Sequence, residues 1–170
     1  ILGLDEYRTP ADVYLSKTSD LIDDIGDAAA LGNHFERPIL QWAEKELGTL
    51  EYDIPTVIAA NGIMCANLDA RQLSHAAPVE AKMSGVSDEW GESGTDNVPK
   101  KYLVQVSAQM ICAGADVGYL AALLTGVRSI RDSVRLYVIE RNSELCRAIE
   151  DECLEWWDRH IVAGVMPDSA

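Results

Sequence analysis

Three charged residues near the middle of the chain, Asp69, Glu80 and Lys82, have types and spacing that could do chemistry. On a β-strand Glu80 and Lys82 project from one face, while Val79 and Ala81 project from the other. Carboxylates are ligands that Mg²⁺ and Mn²⁺ prefer, and a neighbouring lysine could orient or deprotonate water or offset negative charge in a transition state. The same spacing also suits an ordinary solvated ion pair, so from spacing alone both interpretations stay open.

A divalent cation between Asp69 and Glu80 would find a third oxygen in the backbone carbonyl of Ala81. Glu36, which hydrophobic periodicity places on an earlier helix, could add a ligand to a second ion. Two ions roughly 4 Å apart can stabilise both the attacking and the leaving oxygen of a phosphodiester displacement. These residues could therefore form a centre that holds Mg²⁺ or Mn²⁺, with two ions and with Asp69, Glu80, Ala81 and Glu36 as its metal ligands, while a solvated ion pair stays the open alternative.

The composition is that of a globular protein with a hydrophobic core. The 170 residues fit one domain over 1–170, and 48% of them are hydrophobic. No run reaches the roughly 18 apolar residues that cross a bilayer, so no membrane partner is expected. The net charge of −14 argues against a nucleic-acid ligand, because phosphate affinity needs positive surface. Metal-binding carboxylates, which act on phosphate through the cation, or a local basic surface would offset this objection.

The cysteines indicate a reducing compartment. Cys65, Cys112, Cys146 and Cys153 contain no C-x-x-C pair, which disfavours a zinc site. We expect four reduced, buried thiols in a cytoplasmic protein.

Hydrophobic periodicity predicts an α/β or α+β domain with a mixed sheet covered by helices. Helices are expected from a Thr9 N-cap to about 17, and over about 27–47, 99–113 and 142–163. The helix over 27–47 should have a buried stripe that starts at Leu31, and a kink or break near Pro38. Strands are expected over 50–54, 56–60, 63–70, 78–83, 116–124 and 133–140, with a polar binding or disordered loop over 84–98.

Several stretches, taken in order, resemble the YqaJ-type viral recombinase family, which belongs to the PD-(D/E)xK nuclease superfamily and includes phage exonucleases. The matching stretches are Leu2-Gly3-Leu4, Tyr7-Arg8-Thr9-Pro10, Gly32-Asn33-His34-Phe35-Glu36, Ala66-Asn67-Leu68-Asp69-Ala70, Val79-Glu80-Ala81-Lys82, Glu89-Trp90-Gly91-Glu92, Gly94-Thr95-Asp96, Tyr102-Leu103-Val104-Gln105-Val106, Val138-Ile139-Glu140-Arg141 and Trp156-Trp157. The resemblance spans nearly the whole chain, and it implies a restriction-endonuclease-like fold with a mixed central sheet flanked by helices.

The resemblance also implies roles for matched positions. Glu36 corresponds to the helix glutamate, Asp69 to the metal-bridging aspartate, Glu80 and Lys82 to the E-x-K pair, and Gln105 to the helix glutamine beside the active site. These five residues would carry Mg²⁺-dependent hydrolysis of phosphodiester bonds. The residues assigned to DNA contact are Gln105, Tyr102, Trp90 and Arg37.

Relatives digest one strand of linear duplex DNA from an end, 5′ to 3′, often as a homotrimeric ring that works with a single-strand-annealing recombinase in phage-type recombination. The resemblance implies the same substrate and partners here, in a bacterial cell or from a phage gene. Two departures stand out. The family's Gly/Ser-containing segment before Leu2, linked to gripping the 5′ end, is absent from the sequence, and Asn67-Leu68 replace the superfamily's proline.

Some alternatives stay open. Trp90 could stack on a base or anchor its loop. A basic patch for phosphate is expected among Arg128, Arg131, Arg135 and Arg141, although solvated charges are the ordinary outcome. The alternative functions are a non-catalytic DNA-binding or assembly module, a structure-specific endonuclease of the same superfamily, and a related nuclease with an iron–sulfur cluster. The last is disfavoured because the usual close cysteine cluster is missing.

Overall fold

Helices cover both faces of a mixed β-sheet in the structure, a computed structural model that describes residues 1–4, 8–19 and 27–168. The elements are α1 (Pro10–Thr18), α2 (Asp27–Leu47), β1 (Leu50–Glu51), β2 (Val57–Ile58), β3 (Cys65–Ala66), β4 (Ala70–Gln72), β5 (Ala77–Gly85), α3 (Lys100–Ala113), β6 (Val117–Thr125), β7 (Val134–Glu140) and α4 (Ser143–Trp156). The larger sheet has the order β1-β4-β5-β6-β7, and β2 pairs with β3 separately. Only the β5–β6 pair is parallel among these described pairs. The predicted fold class is confirmed.

A β-α-β unit, β5–α3–β6, forms the middle of the sheet. Parallel neighbours require a crossover connection, and α3 supplies it. On one face of β5, Val79 and Ala81 pack in a cluster with residues of α2, among them Leu40. On the other face, Glu80 and Lys82 point towards α3, since Glu80 bonds to a glutamine of that helix and Lys82 bonds to Glu80. The predicted alternation along this strand is therefore confirmed.

The short first helix begins as predicted. The Thr9 side chain accepts a hydrogen bond from the backbone N–H of Asp12, and the Asp12 carboxylate accepts one from the Thr9 N–H. In the second helix the predicted break near Pro38 is absent, and a kink there stays a prediction. The helix runs unbroken over 21 residues with Pro38 inside it, because Ile39 and Leu40 are buried against the sheet while Pro38 faces solvent. Leu31 is also exposed, so the buried stripe does not extend that far.

The strands predicted over 50–54, 56–60 and 63–70 are much shorter in the structure. Asp53 has a positive φ of 55° that turns the chain away from the sheet after β1. The side chain of Asn61 accepts hydrogen bonds from the N–H groups of Ile63 and Met64, which bends the β2–β3 connection. Local turn chemistry therefore outweighs β-propensity here. The later strands β5, β6 and β7 lie where they were predicted, within a few residues.

The loop over 86–98 is ordered by contacts with β7. The Gly94 N–H donates to the Leu136 carbonyl at 2.7 Å, and the Val138 N–H donates to the Thr95 carbonyl at 3.1 Å. Gly91 is required for close packing, because a Cβ there would lie 2.6 Å from the Cβ of Asn97. The loop is therefore structured, and the expectation of disorder is wrong.

The cysteines are free, as predicted, but they are not all buried. Cys112 and Cys146 are buried, whereas Cys65 is exposed on the small β2–β3 ribbon. Burial raises the pKa of the Cys112 thiol to about 11, which disfavours the reactive thiolate. Among the described residues, the helices are too short or too polar to cross a membrane. The sequence also predicts a polar connection over about 20–24, between the first two helices, and those residues lie outside the described ones.

Candidate active site

Glu80 is at the centre of the site, on the middle strand of the sheet. Its side chain is 2% exposed, yet a buried carboxylate is tolerated only when donors surround it. Glu80 Oε1 accepts a hydrogen bond from Gln105 Nε2 at 2.6 Å and is 2.5 Å from Lys82 Nζ. Glu80 Oε2 accepts a hydrogen bond from Gln109 Nε2 at 2.5 Å. Both carboxylate oxygens of Glu80 therefore accept hydrogen bonds from side chains on β5 and α3.

Asp69 lies immediately before β4, which is joined to β5 in a hairpin. Its Oδ2 accepts a hydrogen bond from the Ala81 backbone N–H at 2.8 Å. Burial and the charge of Glu80, with a smaller effect from Glu36, raise the pKa of Asp69 to about 7, although the Ala81 N–H and Lys82 act in the opposite direction. The carboxyls of Asp69 and Glu80 are therefore close enough to repel each other strongly in the absence of a cation.

Lys82 supplies the local positive charge. Burial alone would lower the pKa of its ammonium, but the charge and hydrogen bond of Glu80, together with the charge of Asp69, raise the pKa above its ordinary value. The Nζ atom lies 5.7 Å from the centre of the Tyr102 ring. Lys82 is thus protonated in this structure and is directed at the carboxylates.

Glu36 approaches the site from α2. Burial, and then the charge of Glu80, raise the pKa of Glu36, while Lys82 lowers it. Glu36 therefore faces the same group of charges, which agrees with its predicted position. Its contact with the site is electrostatic, and the structure shows no hydrogen bond that joins it to the other described site residues.

The donor set suits a hard divalent cation. Asp69 and Glu80 supply carboxylate oxygens, and the Ala81 carbonyl points to the same edge of β5 as its N–H, which faces Asp69. Within the described ranges, no three His, Cys, Asp or Glu side chains form a ready metal-binding group. Mg²⁺ commonly uses one or two carboxylates and completes its shell with water. The residues therefore fit one such ion at Asp69 and Glu80, with Glu36 farther out.

Gln109 was missed by the sequence-based interpretation. It is 4% exposed, four residues after Gln105, and residues at that spacing share one face of a helix. Its Nε2 reaches Glu80 Oε2 and also lies 3.4 Å from the Asn67 carbonyl oxygen. Two glutamines one turn apart on a predicted helix that follows the E-x-K strand are a signal that could have found it.

The residues assigned to DNA contact have different environments. Gln105 and Tyr102 border the site. Trp90 does not: it is 6% exposed, with its ring centre 5.4 Å from Tyr102 and 5.6 Å from Tyr137. A ring packed in this way cannot stack on a base, so the alternative of a loop anchor is correct. Arg37 is exposed and lies flat on Tyr52, 3.4 Å from the ring centre; its contact with DNA stays a prediction.

Two of the four arginines in the predicted basic patch are used for contacts within the fold, which leaves two exposed to solvent. Arg135 donates to the carbonyls of Trp90 and Gly91, which fastens the loop over 86–98 to β7. Arg141 donates to the carbonyls of Met110 and Ala115 at the end of α3. Both guanidinium groups thus serve the fold, whereas Arg128 and Arg131 are exposed.

A cavity of about 500 Å³ borders the site on the other side of α3. Gln105 and Tyr102 form part of its wall, together with the basic residues Arg8 and Lys101. Leu2, Leu4 and Ile149 are among its apolar lining residues. Two basic residues therefore line a cavity that shares Gln105 with the carboxylate site, although the whole chain is acidic.

A mixed α/β fold in which Glu80 and Lys82 lie beside Asp69 describes the chain, and comparison with known families is more specific. Residues 1–116 match the YqaJ-like viral recombinase domain. The chain belongs to this family, and the matched segment includes the carboxylates, the lysine and the two glutamines of the site: Glu36, Asp69, Glu80, Lys82, Gln105 and Gln109.

Individual relatives agree with this assignment. The uncharacterized protein YqaJ of Bacillus subtilis (strain 168) is 25% identical over 175 residues, which cover 98% of this chain and 52% of that protein. The chain thus spans about half the length of this curated relative. The fold is similar to that of an alkaline exonuclease, LHK-Exo, from Laribacter hongkongensis, with a TM-score of 0.69 at 15% identity, covering 91% of this chain and 78% of that one. A phage related exonuclease from Haemophilus somnus 129PT gives a TM-score of 0.59 at 16% identity, covering 91% and 80%.

Proposed function

We propose that this chain is a divalent-metal-dependent deoxyribonuclease that hydrolyses phosphodiester bonds at the ends of linear duplex DNA. The observation that carries the proposal is the buried Glu80, which lies beside Asp69 and bonds to Lys82. Two neighbouring carboxylates with an adjacent ammonium are an arrangement that suits phosphodiester hydrolysis. A solvated ion pair does not describe this arrangement well, because Glu80 is removed from water. Membership of the family and the exonuclease names of the structural neighbours support the same reaction.

Mg²⁺ or Mn²⁺ would be held by Asp69, Glu80 and the Ala81 carbonyl, and the predicted second ion would involve Glu36. When bound, these ions supply Lewis-acid stabilisation of phosphate charge and make water more acidic. Gln105 keeps the Glu80 carboxylate in position through its 2.6 Å hydrogen bond. The protein's own part in the reaction is thus to fix the carboxylates before substrate arrives.

Lys82 contacts the carboxylates before the proposed reaction and would contact the substrate during it. Without a cation its pKa is raised by Glu80 and Asp69, in spite of burial. A cation held by Asp69 and Glu80 would offset part of their charge, and the Lys82 ammonium would then be available to the substrate as well as to Glu80. Lys82 can then donate to the scissile phosphate or take a proton from the attacking water, whose oxygen bonds to phosphorus as one P–O ester bond breaks.

The DNA strand is proposed to run along the cavity beside Gln105 and Tyr102. Its phosphates would meet Arg8 and Lys101, and its bases would meet the apolar wall. Arg8 and Lys101 would supply local positive charge that offsets the objection from the net charge of −14. The finer proposals, which the family supports, are 5′ to 3′ polarity, a homotrimer, a single-strand-annealing partner and a cytoplasmic setting. Light scattering at micromolar concentration tests the trimer, which would be rejected if a monomer alone were found.

End-labelled duplexes test the activity. We expect digestion of linear DNA with Mg²⁺, little digestion of closed circular DNA, and no digestion in chelator. Duplexes with a 5′-phosphate, a 5′-hydroxyl or blocked ends report polarity and end preference. Lys82→Ala should lower the rate at least 100-fold, whereas Lys17→Ala, an exposed lysine on α1, should not change it. Equal digestion by wild type and Lys82→Ala would refute the role of Lys82, and equal cutting of circular DNA would favour an endonuclease.

A further inference from the structure

Glu80 has more acceptor capacity than its donors use. An ionised carboxylate has about four lone-pair positions, two on each oxygen. Gln105 and Lys82 both bond to Oε1, which fills that oxygen. Gln109 bonds to Oε2, and one position on that oxygen is left among the contacts of the described residues. A cation that approaches Glu80 therefore meets Oε2, the oxygen that Gln109 holds.

The orientation of the Gln109 amide follows from its surroundings. Its Nε2 points at Glu80 Oε2 and at the Asn67 carbonyl, both of which are acceptors. Its Oε1 is buried, and within the described part of the chain it has no hydrogen-bond partner. Turning the amide over would place Oε1 against a carboxylate and a carbonyl, which is repulsive. The contacts of Nε2 alone therefore fix the orientation of the Gln109 amide.

The same amide joins the two segments that carry the metal-binding carboxylates. Glu80 is on β5, and Asn67 lies two residues before Asp69 on the way into β4. Since one Nε2 reaches both segments, Gln109 helps to set how far Glu80 lies from Asp69. Gln105, one turn earlier on α3, contacts the oxygen that Lys82 already occupies. Gln105 therefore holds Oε1 of Glu80, whereas Gln109 holds Oε2 and also contacts the segment before Asp69.

We propose that Gln109 is a positioning residue that presents Glu80 Oε2 to the divalent cation and sets the separation of Glu80 from Asp69. The inference rests on the proposed function, because it concerns the ion of that same site. Side chains that hold a metal ligand in place change metal affinity by about 10- to 100-fold when they are removed. We expect removal of the Gln109 side chain to change metal affinity by a similar factor, although Gln109 is not itself a metal ligand.

Calorimetric titration of the full chain with Mn²⁺, without DNA, tests this directly. Gln109→Met keeps the volume and removes the donor, and we expect the Mn²⁺ Kd to rise about 10-fold or more. Ser107→Ala is the matched control: Ser107 is also buried on α3, but it bonds within the helix to the Leu103 carbonyl. The control should bind Mn²⁺ as wild type does. An unchanged Kd in Gln109→Met, or an equal change in Ser107→Ala, would overturn the inference.

A second measurement separates positioning from simple loss of structure. Circular dichroism and urea unfolding in EDTA show whether Gln109→Met is folded; if it is not, Gln109→Asn, whose shorter amide cannot span the same gap, takes its place. In the DNA assay, excess Mn²⁺ should restore kcat to within about threefold while the Mn²⁺ concentration at half-maximal rate stays about 10-fold higher. A low kcat that Mn²⁺ does not restore would contradict the positioning role. Wild type that binds Mn²⁺ but spares DNA would refute the proposed function and leave the Kd comparison valid.

Discussion

Replacing Asp69 with Asn should stabilise the metal-free protein at alkaline pH while it removes a metal ligand. Burial and the Glu80 charge make the ionised Asp69 side chain unfavourable, and together they raise its pKa to about 7. Asn has the same shape, is neutral at every pH, and keeps an oxygen that can accept the Ala81 N–H bond. The substitution therefore removes the repulsion and retains the packing.

The magnitude follows from the pKa. Each tenfold change in proton affinity is about 1.4 kcal/mol, so a carboxyl whose pKa rises from 3.8 to about 7 destabilises the ionised folded state by about 4 kcal/mol. The folded protein binds this proton more tightly than the unfolded chain. The contribution of Asp69 to stability is therefore most favourable below pH 4, falls as the pH rises to about 7, and changes little above that. The advantage of Asp69→Asn should grow from about 2 kcal/mol at pH 5 to about 4 kcal/mol at pH 8.

Urea unfolding in EDTA at pH 5 and pH 8 gives this difference in the free energy of unfolding. Asp88→Asn, at an exposed position in the loop over 86–98, is the matched control and should change stability by less than about 0.5 kcal/mol. Saturating Mn²⁺ should reduce or reverse the advantage of Asp69→Asn, because the ion stabilises the wild-type protein preferentially. The reasoning is refuted if Asp69→Asn is no more stable than wild type at pH 8, or if the difference does not grow with pH.

Three further substitutions test the packing around the site by the same unfolding assay. Trp90→Ala should lower stability by about 3–5 kcal/mol, because the ring is buried between Tyr102 and Tyr137; weaker DNA binding at unchanged stability would restore the base-stacking role. Gly91→Ala should lower stability by about 1–3 kcal/mol through its clash with Asn97. Gly32→Ala should raise stability by about 0.5–1 kcal/mol, since that helical position is open. Equal effects at the two glycines would contradict the packing argument.

Sequence patterns predicted well the helices and strands in which hydrophobic residues recur with a clear period. The strand around Glu80 and Lys82 alternates over many residues and is central in the sheet, so its two faces could be assigned correctly. The helix with Tyr102 and Gln105 also follows a clear 3.6-residue period. The short strands before residue 72 were overestimated, because the positive φ of Asp53 and the side-chain bonds of Asn61 are effects of single residues that propensity averages out.

The site was predicted where charged residues lie close in sequence, and it was incomplete where buried polar groups matter. Asp69, Glu80 and Lys82 have suggestive types and spacing. Gln109 is uncharged, and its role depends on a contact 29 residues away along the chain. The sequence left Trp90 open between base stacking and a loop anchor, and only long-range packing shows that it is buried. Long-range contacts of this kind are invisible to a local pattern.

The ion pair between Lys82 and Glu80 has a consequence for the order in which the protein folds and acquires its ion. In proteins whose metal is the main counter-charge of the core, the chain is unfolded until the metal arrives. Here an ammonium from the same strand already compensates the most buried carboxylate. If the proposed ion binds, the chain would therefore reach its native state in a cell poor in free metal, and it would lose and regain the ion without unfolding. Loading would then be a late and reversible event, through which the supply of cation would control the proposed activity after synthesis is complete.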